Sequence, residues 1–409
     1  MKDASIPILE ILQNQTIFIK SQKEEKGKGR FVREGMKLAK ETRKRKSDHI
    51  KISLNQNVQA RKTTTGFEDV HFIHKALPEI DKQKIDLSTT VFGHRFAAPL
   101  IVGAITGGTM EATKINATIA ETVEELGLGM GVGSQRAAIE DKRLEKTFAV
   151  ARKKAPTAFL IANIGGVQLA NGYGLKEAKK AMKMIDADAI AVHLNPLQEA
   201  IQPEGQTDFQ GVLEKIGEIA RELDKPVIVK ETGAGIATDE AKKLEDVGVK
   251  GIDVSGAGGT SWAAVEYYRA KKRADSFQRR LGDVFWDWGI PTAISIVEVS
   301  QTVRIPVIAS GGIRDGMGVA KALVLGGSLT SLSQPVLQVA VEGIKETKNV
   351  LSLLAEELRN VMFLVGADSV ETLRDISLVI TGKTAEWLKV RGFDIERYAR
   401  RGGNETYGH

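Results

Sequence analysis

The sequence predicts an α/β protein, a (β/α)8 TIM barrel preceded by a non-barrel N-terminal extension. Three observations carry this. From Ala97 onward, eight short apolar runs recur: Pro99–Thr106, Gly129–Ser134, Phe159–Gly165, Ala189–Asn195, Pro226–Gly233, Gly251–Gly256, Pro306–Gly312 and Ser328–Ser333. Near-continuous apolar runs suit strands buried on both faces. The segments between them have helical spacing, and eight βα units in series close into a parallel barrel. Finally, seven runs end in polar or glycine-rich residues, where a barrel places its active-site loops.

The first intervening segment shows the helical pattern. Ile115, Ile119, Val123 and Leu126 fall at steps of four, four and three, on one helix face. About 50 residues separate runs six and seven, more than one βα connection needs. They hold Trp262, Glu266, a basic stretch and Phe285-Trp286-Asp287-Trp288-Gly289. This predicts an inserted lid between strands six and seven. Residues 1–42 share none of the rhythm and are expected to be a basic extension to a barrel domain over 43–409.

Charge is concentrated at the start. Residues 20–46 hold twelve Lys/Arg and four Asp/Glu, a balance of +8, so the rest of the chain sums to −2 against a net +6. A solvated tail accounts for most of this. Only Phe31 interleaves with the basic residues, so a nucleic-acid partner is not expected. The chain has no cysteine, so disulfide and thiol chemistry are excluded. No apolar run reaches the roughly 18 residues of a membrane span, and the N-terminus lacks a signal-peptide core. A cytoplasmic enzyme without a membrane partner is expected.

The strand ends carry the chemistry. Ser310-Gly311-Gly312-Ile313-Arg314 follows run seven, and Leu325-Gly326-Gly327-Ser328 opens run eight. Glycines allow close backbone approach, and the loops after strands seven and eight are the usual phosphate site of a barrel. Both glycine pairs are therefore expected to hold a phosphate. Lys230, ending run five, points into the mouth, where it can neutralise an anionic ring or pair with Glu231. His193-Leu194-Asn195-Pro196-Leu197-Gln198-Glu199 is the densest polar segment. Glu199 suits Mg²⁺, which takes oxygen ligands and bridges to phosphates. His193, Arg136, Arg45 and Lys46 suit a diphosphate.

These residues bring a resemblance into view. Arg45-Lys46-x-x-His49, Thr106-Gly107-Gly108, Gly133-Ser134-Gln135-Arg136 and the 193–199 block resemble type 2 isopentenyl diphosphate isomerase. So do Val229-Lys230-Glu231, residues 256–262, residues 288–292 and Ser310-Gly311-Gly312-Ile313-Arg314. The match runs in family order from about residue 43 to 335. It implies an FMN barrel with Mg²⁺ that interconverts isopentenyl and dimethylallyl diphosphate by an allylic proton shift. The flavin would be reduced by NAD(P)H, and the assembly would be a homo-oligomer, a tetramer or octamer. By position, Arg45, Lys46, His49, Ser134, Gln135, Arg136, His193, Asn195 and Gln198 would contact substrate, and Glu199 would bind Mg²⁺. Ala104, Ile105, Thr106, Ser134, Asn163, Lys230, Ser255, Thr260, Gly312, Arg314, Gly327 and Ser328 would line FMN. Gln198 and Glu266 would relay protons, with Trp262 closing the apolar pocket. Ile105 stands where the family often has Met.

Another FMN-dependent barrel oxidoreductase acting on a small anionic substrate is the alternative. A 2-hydroxy-acid oxidase should show a strand-end His-Gly-Gly-Arg pattern, which is missing, and an IMP-dehydrogenase-like enzyme needs a cysteine nucleophile. Every motif begins at or after Arg45. Removal of residues 1–36 is therefore expected to leave turnover nearly unchanged, measured on the truncated protein. A truncated protein that folds but no longer turns over would place the extension in the working site.

Overall fold

The computed structural model describes residues 45–401. The extension expected over 1–42 lies outside them. Eight parallel strands form a closed barrel: β1 (Leu100–Val102), β2 (Gly129–Gly131), β3 (Phe159–Gly165), β4 (Ala189–His193), β5 (Val227–Lys230), β6 (Gly251–Asp253), β7 (Val307–Ser310) and β8 (Leu329–Leu332). Strands β1 to β8 pair in sequence order, and β8 returns to β1 through Thr330↔Leu100 and Ser331↔Ile101. The expected fold class stands. Apart from β3, which fills its whole run, each strand is shorter than its apolar run, because the last residues of the run have already left the ladder to form the mouth.

The first helix, α1 (Met110–Leu126), forms for local reasons. The Thr109 side chain accepts from the Ala112 N–H as N-cap, and Gly127 ends the helix in the left-handed region at φ 62°. Ile115, Ile119 and Val123 are buried, and Leu126 packs at the margin of the core.

One end of the barrel is plugged. A hairpin of two short strands, Thr89–Val91 and His94–Phe96, turns at Phe92 (φ 53°) and Gly93 (φ 73°). Phe92 stacks on Phe159 with ring centroids 5.9 Å apart, and Phe96 meets Phe159 edge-on at 5.5 Å. These rings pack with Ile101, Ile161, Ala191, Ile228 and Ile308, which point into the barrel. Phe159 opens β3, so the plug fills the strand-start end and any ligand space lies at the strand-finish end.

The long connection between β6 and β7 begins with α2 (Trp262–Lys272) and α3 (Ser276–Val284), which pack on each other, and ends in the barrel helix α4 (Thr292–Ser300). Residues 58–65 form a strap across these loops. Ala60 N donates to Gly259 O, Ser261 N to Val58 O and Ala293 N to Thr65 O, each at 2.8 Å. Asp287 Oδ1 accepts from the N–H groups of Arg61, Lys62 and Thr63, and the Arg61 guanidinium sits 3.4 Å from the Trp286 ring centroid. After β8, a short strand Leu378–Ile380 pairs antiparallel with Val70–Phe72.

The loop after β1 depends on one close approach. A Cβ on Gly107 would fall 1.9 Å from the fully buried Phe148 ring. Gly107→Ala must displace that ring, and overpacking of this kind costs about 1–3 kcal/mol. Urea unfolding should show this loss, and the double variant Gly107→Ala/Phe148→Leu should be more stable than the two single effects added together. Simple additivity would show that the ring is not the obstacle.

Candidate active site

Side chains alternate across a strand, so every second residue points into the barrel. Ile101, Ile161, Ala191, Ile228 and Ile308 make an apolar floor. One step nearer the strand ends come Gly103, Asn163, Lys230, Asp253 and Ser331, and together with Ala104 and Gly131 these line a space at the mouth that opens to solvent. The Lys230 ammonium donates to the Glu231 backbone carbonyl at 2.5 Å, so it does not take the Glu231 carboxylate as its partner. Asp253 accepts from the Ser310 hydroxyl. Burial raises the Asp253 carboxyl above its ordinary range, against the pull of Lys230. Asn163 Oδ1 lies 2.7 Å from His193 Nδ1, which fixes the imidazole on β4.

The loop after β4 is a carboxamide network around one carboxylate. It begins a one-turn helix, Pro196–Ile201, with proline suited to its first turn. Asn195 Nδ2 donates to Glu199 Oε1 at 2.9 Å and to Gln198 Oε1 at 3.1 Å. Glu199 Oε2 accepts from Gln202 Nε2 and from the Gln206 backbone, both at 2.7 Å. Gln206 Oε1 accepts from Arg136 and from Gln168, each at 3.3 Å. Arg136 also pairs with Glu140. The Asn195 Oδ1 is buried and accepts nothing among the described residues.

A second space of about 360 Å³ lies beside this network. Leu197, Gln198, Glu231, Thr260, Trp262, Trp286 and Trp288 are among its walls. Gln198 and Glu199, adjacent in sequence, thus face different surroundings: Gln198 lines this partly apolar space, and Glu199 turns into the polar network.

From the helix over residues 45–55, Lys46 donates to the Ser134 carbonyl at 2.6 Å, and His49 meets Trp262 edge-on. Arg45 is the first described residue. His49 Nε2 lies 3.0 Å from Glu266 Oε1, and Glu266 Oε2 pairs with Arg269 at 2.5 Å. Arg269 continues to Glu204 at 2.5 Å. Burial alone would raise the Glu266 carboxyl, but His49 and Arg269 hold it below its ordinary value. An ionised Glu266 can orient the His49 imidazole and accept a proton, and it is poorly placed to supply one.

The placement of three residues differs from expectation. Gly327 and Ser328 do not reach the mouth. Ser328 precedes β8, and its N–H donates to Val307 O at the start of β7 (2.7 Å), on the plugged face. That glycine pair belongs to an αβ turn, where Gly326 (φ 124°) lets the chain pass Ser300. The residues that follow β8 at the mouth are Ser333 and the helix Gln334–Ala340. A Cβ on Gly103 would fall 2.4 Å from Ser333 Oγ and 2.8 Å from Ser331 Oγ.

Gln135 is fully buried. Its amide donates to the Ala181 carbonyl and its oxygen accepts from Asn163 N–H, so it braces β3 and does not face substrate.

The glycines after β6 and β7 also serve the chain itself. A Cβ on Gly258 would fall 2.3 Å from the Thr64 carbonyl carbon, and one on Gly312 2.4 Å from Thr65 Cγ2. The neighbouring Arg314 donates to the strap residue Gln59.

Ile105 packs against the core, and Thr106 is buried with its carbonyl accepting from Gly133 N–H. Of the residues expected near FMN, Ala104, Asn163 and Lys230 line the barrel space, and Thr260 lines the outer one. Ser134 is half-buried, and Ser255 holds a left-handed backbone at φ 38°. Asp253, Ser331, Ser333 and Glu231 were missed as site residues. Asp253 and Ser331 are polar positions inside otherwise apolar runs, which is the signal that could have found them.

A planar ring system fits the barrel space: the floor is apolar, glycines leave room at Gly103 and Gly131, and Lys230 places a cation at one edge. Both Glu199 oxygens accept from N–H groups, so a hard cation would use Glu199 only with the neighbouring carboxamides turned to present oxygen. Mg²⁺ needs only one or two protein carboxylates when phosphates and water complete its shell, and a turn of the Asn195 carboxamide would present oxygen in place of nitrogen.

Residues 39–161 and 168–379 match the FMN-dependent dehydrogenase family. Two solved structures share the fold: a lactate oxidase from Pediococcus acidilactici (TM-score 0.60, 19% identity, 85% of this chain and 94% of that one) and a mandelate oxidase with (S)-2-phenylpropionate (TM-score 0.56, 20% identity, 84% and 98%). The class is thus a flavin-family barrel. Nearer relatives are isopentenyl-diphosphate delta-isomerases. That of Methanosarcina barkeri is 50% identical over 358 residues, covering 88% of this chain and 97% of the relative, and that of Methanothermobacter thermautotrophicus is 50% identical over 357 residues, covering 87% and 99%. The chain belongs to the isopentenyl-diphosphate delta-isomerase family.

The Arg269 junction generates a test. Arg269→Met leaves Glu266 buried beside His49 alone and leaves Glu204 only the longer contact to Arg273, at 3.3 Å. Losing one partner of a buried pair costs about 3–5 kcal/mol, readable by urea unfolding. Burial alone would raise Glu204, but the Arg269 hydrogen bond and charge hold it at about 2. Its contribution is therefore full above the ordinary value of 4.5 and is lost as pH falls through about 2. The variant's stability should fall less over that interval than the wild type's. Equal slopes would remove Glu204 from the network.

Proposed function

We propose that the protein interconverts isopentenyl and dimethylallyl diphosphate by an allylic proton shift, with FMN kept reduced by NAD(P)H and with Mg²⁺. The observation that carries this reading is the adjacency of two environments at the strand ends. The polar network of Asn195, Glu199, Gln206 and Arg136 meets, at Gln198, a space walled by Leu197, Trp262, Trp286 and Trp288. A short apolar chain ending in a diphosphate matches both halves. The names of the relatives point to the same substrate.

In this reading Arg45, Lys46, Arg136 and His193 bind the diphosphate through charge-assisted hydrogen bonds. Glu199, with Asn195 beside it, holds Mg²⁺. Ala104, Asn163, Lys230 and Ser331 hold the flavin ring, with Gly312 and Ser333 toward its phosphate. Reduced FMN supplies electron density that stabilises positive charge developing on the substrate. The tryptophans exclude water from that charge. Gln198 faces the isoprenoid carbons and orients the group that moves the proton.

Steady-state kinetics separate the two adjacent residues. Glu199→Gln should shift the Mg²⁺ dependence to higher concentration and weaken substrate binding. Gln198→Asn shortens the reach by one methylene and should lower kcat with nearly normal Mg²⁺ dependence, since a misplacement of about 1 Å can cost on the order of 10²-fold. Dithionite should replace NADPH, and NADPH should not be consumed mole for mole with product. Stoichiometric oxidation of NADPH would make the protein a reductase, and an unchanged Mg²⁺ dependence in Glu199→Gln would remove the metal assignment.

A further inference from the structure

Arg269, on α2, is 2% exposed. Its guanidinium reaches two ways. Nη1 donates to Glu266 Oε2 and Nη2 to Glu204 Oε1, each at 2.5 Å. Nε is buried without a partner among the described residues. A buried N–H left unmatched is costly, so the placement of the side chain follows the two carboxylates and not its own fullest hydrogen bonding.

The two carboxylates belong to different parts of the site. Glu204, which Arg273 also reaches at 3.3 Å, sits in the turn that wraps Glu199. Gln202 Nε2 and the Gln206 N–H donate to Glu199 Oε2, and the Gly205 N–H donates to the Gln202 carbonyl at 3.0 Å. A Cβ on Gly205 would fall 1.8 Å from the Glu199 carbonyl oxygen. The turn therefore has no slack, and a shift at Glu204 carries the Gln206 N–H with it. A carboxamide can rotate away from Glu199, but this backbone N–H cannot, so the turn sets where Oε2 stands. Glu266 faces the other part. Its Oε1 lies 3.0 Å from His49 Nε2, on the helix that also carries Lys46, and Asp48 of that helix pairs with Lys272 of α2 at 2.8 Å.

Stability alone is a weak reason for a buried arginine between two acids, because well-packed apolar side chains in its place are often as stable or more so. What arginine adds is a planar, rigid fork that fixes two acceptors in one geometry, which the single ammonium of lysine does not. We propose that Arg269 is a positioning residue that holds the Glu199 turn in register with the Lys46–His49 helix, so that groups from both meet one diphosphate. The assignment rests on the isomerase reading, in which Glu199 takes Mg²⁺ and Lys46 the diphosphate. Arg269 itself touches neither of those residues. It acts through Glu204 and the Gln206 backbone on one side and through Glu266 and His49 on the other.

Calorimetric titration of Mg²⁺ into the FMN-loaded protein with inorganic pyrophosphate present reads this without turnover. Arg269→Lys keeps the charge and loses the fork. Glu204→Ala removes one arm of the contact at a partly exposed turn residue, so the test does not depend on refilling a buried position. Each variant should weaken Mg²⁺ binding about 10–100-fold, the usual cost of losing a group that orients a metal ligand, with flavin absorbance preserved. Both changes break one contact, so the double variant should lose little more than the weaker-binding single one. KM for isopentenyl diphosphate should rise by a larger factor than kcat falls. A role in stability alone would lower the unfolding midpoint and leave the Mg²⁺ affinity where it is. Wild-type Mg²⁺ affinity in Glu204→Ala overturns the proposal, and so do losses that add in full in the double variant. A wild-type protein that binds Mg²⁺ with pyrophosphate and is weakened by both changes, yet is inert toward isopentenyl diphosphate, overturns the isomerase reading and leaves the positioning by Arg269 standing.

Discussion

Closure of the barrel is the constraint on which the site depends. Once Val307 and Ile308 pair with Ile252 and Asp253, and β8 returns to β1, the register of all eight strands is fixed. A slip of one residue would turn every inward side chain outward. The closed register stacks an apolar layer, then a layer containing Asn163, Lys230, Asp253 and Ser331. The aromatic plug from the Thr89–Phe96 hairpin fills one end, so the polar layer can open only toward the other.

That polar layer is tolerable because its charges are partnered locally. Lys230 is held by a backbone carbonyl, Asp253 by a hydroxyl and Glu231 by three N–H groups. Beside the barrel, a chain of contacts runs from His49 through Glu266 and Arg269 to Glu204, joining three segments distant in sequence. Removing one member would leave a buried charge without its counterion. The strap over 58–65 gives the glycine loops after β6 and β7 a structural reason of their own, because backbone at Thr64 and Thr65 approaches them closely.

The sequence by itself determined the periodicities. Eight apolar runs with helical segments between them already specify the barrel, and the polar residues ending those runs already mark the mouth, since both follow from local alternation along the chain. The cluster from His193 to Glu199 was legible for the same reason: one loop supplies all of it. Tertiary structure decided which end of a strand a motif occupies and which face a side chain takes. Gly327 and Ser328 read as a phosphate loop until the ladder set them before β8 rather than after it. Gln135 stands beside two mouth residues in sequence, yet its amide turns under β3. The different surroundings of the two Glu231 oxygens depend on a loop curling back on itself, which places its N–H groups on one oxygen only. Such contacts arise from closure and packing, and a linear pattern of residue types does not encode them.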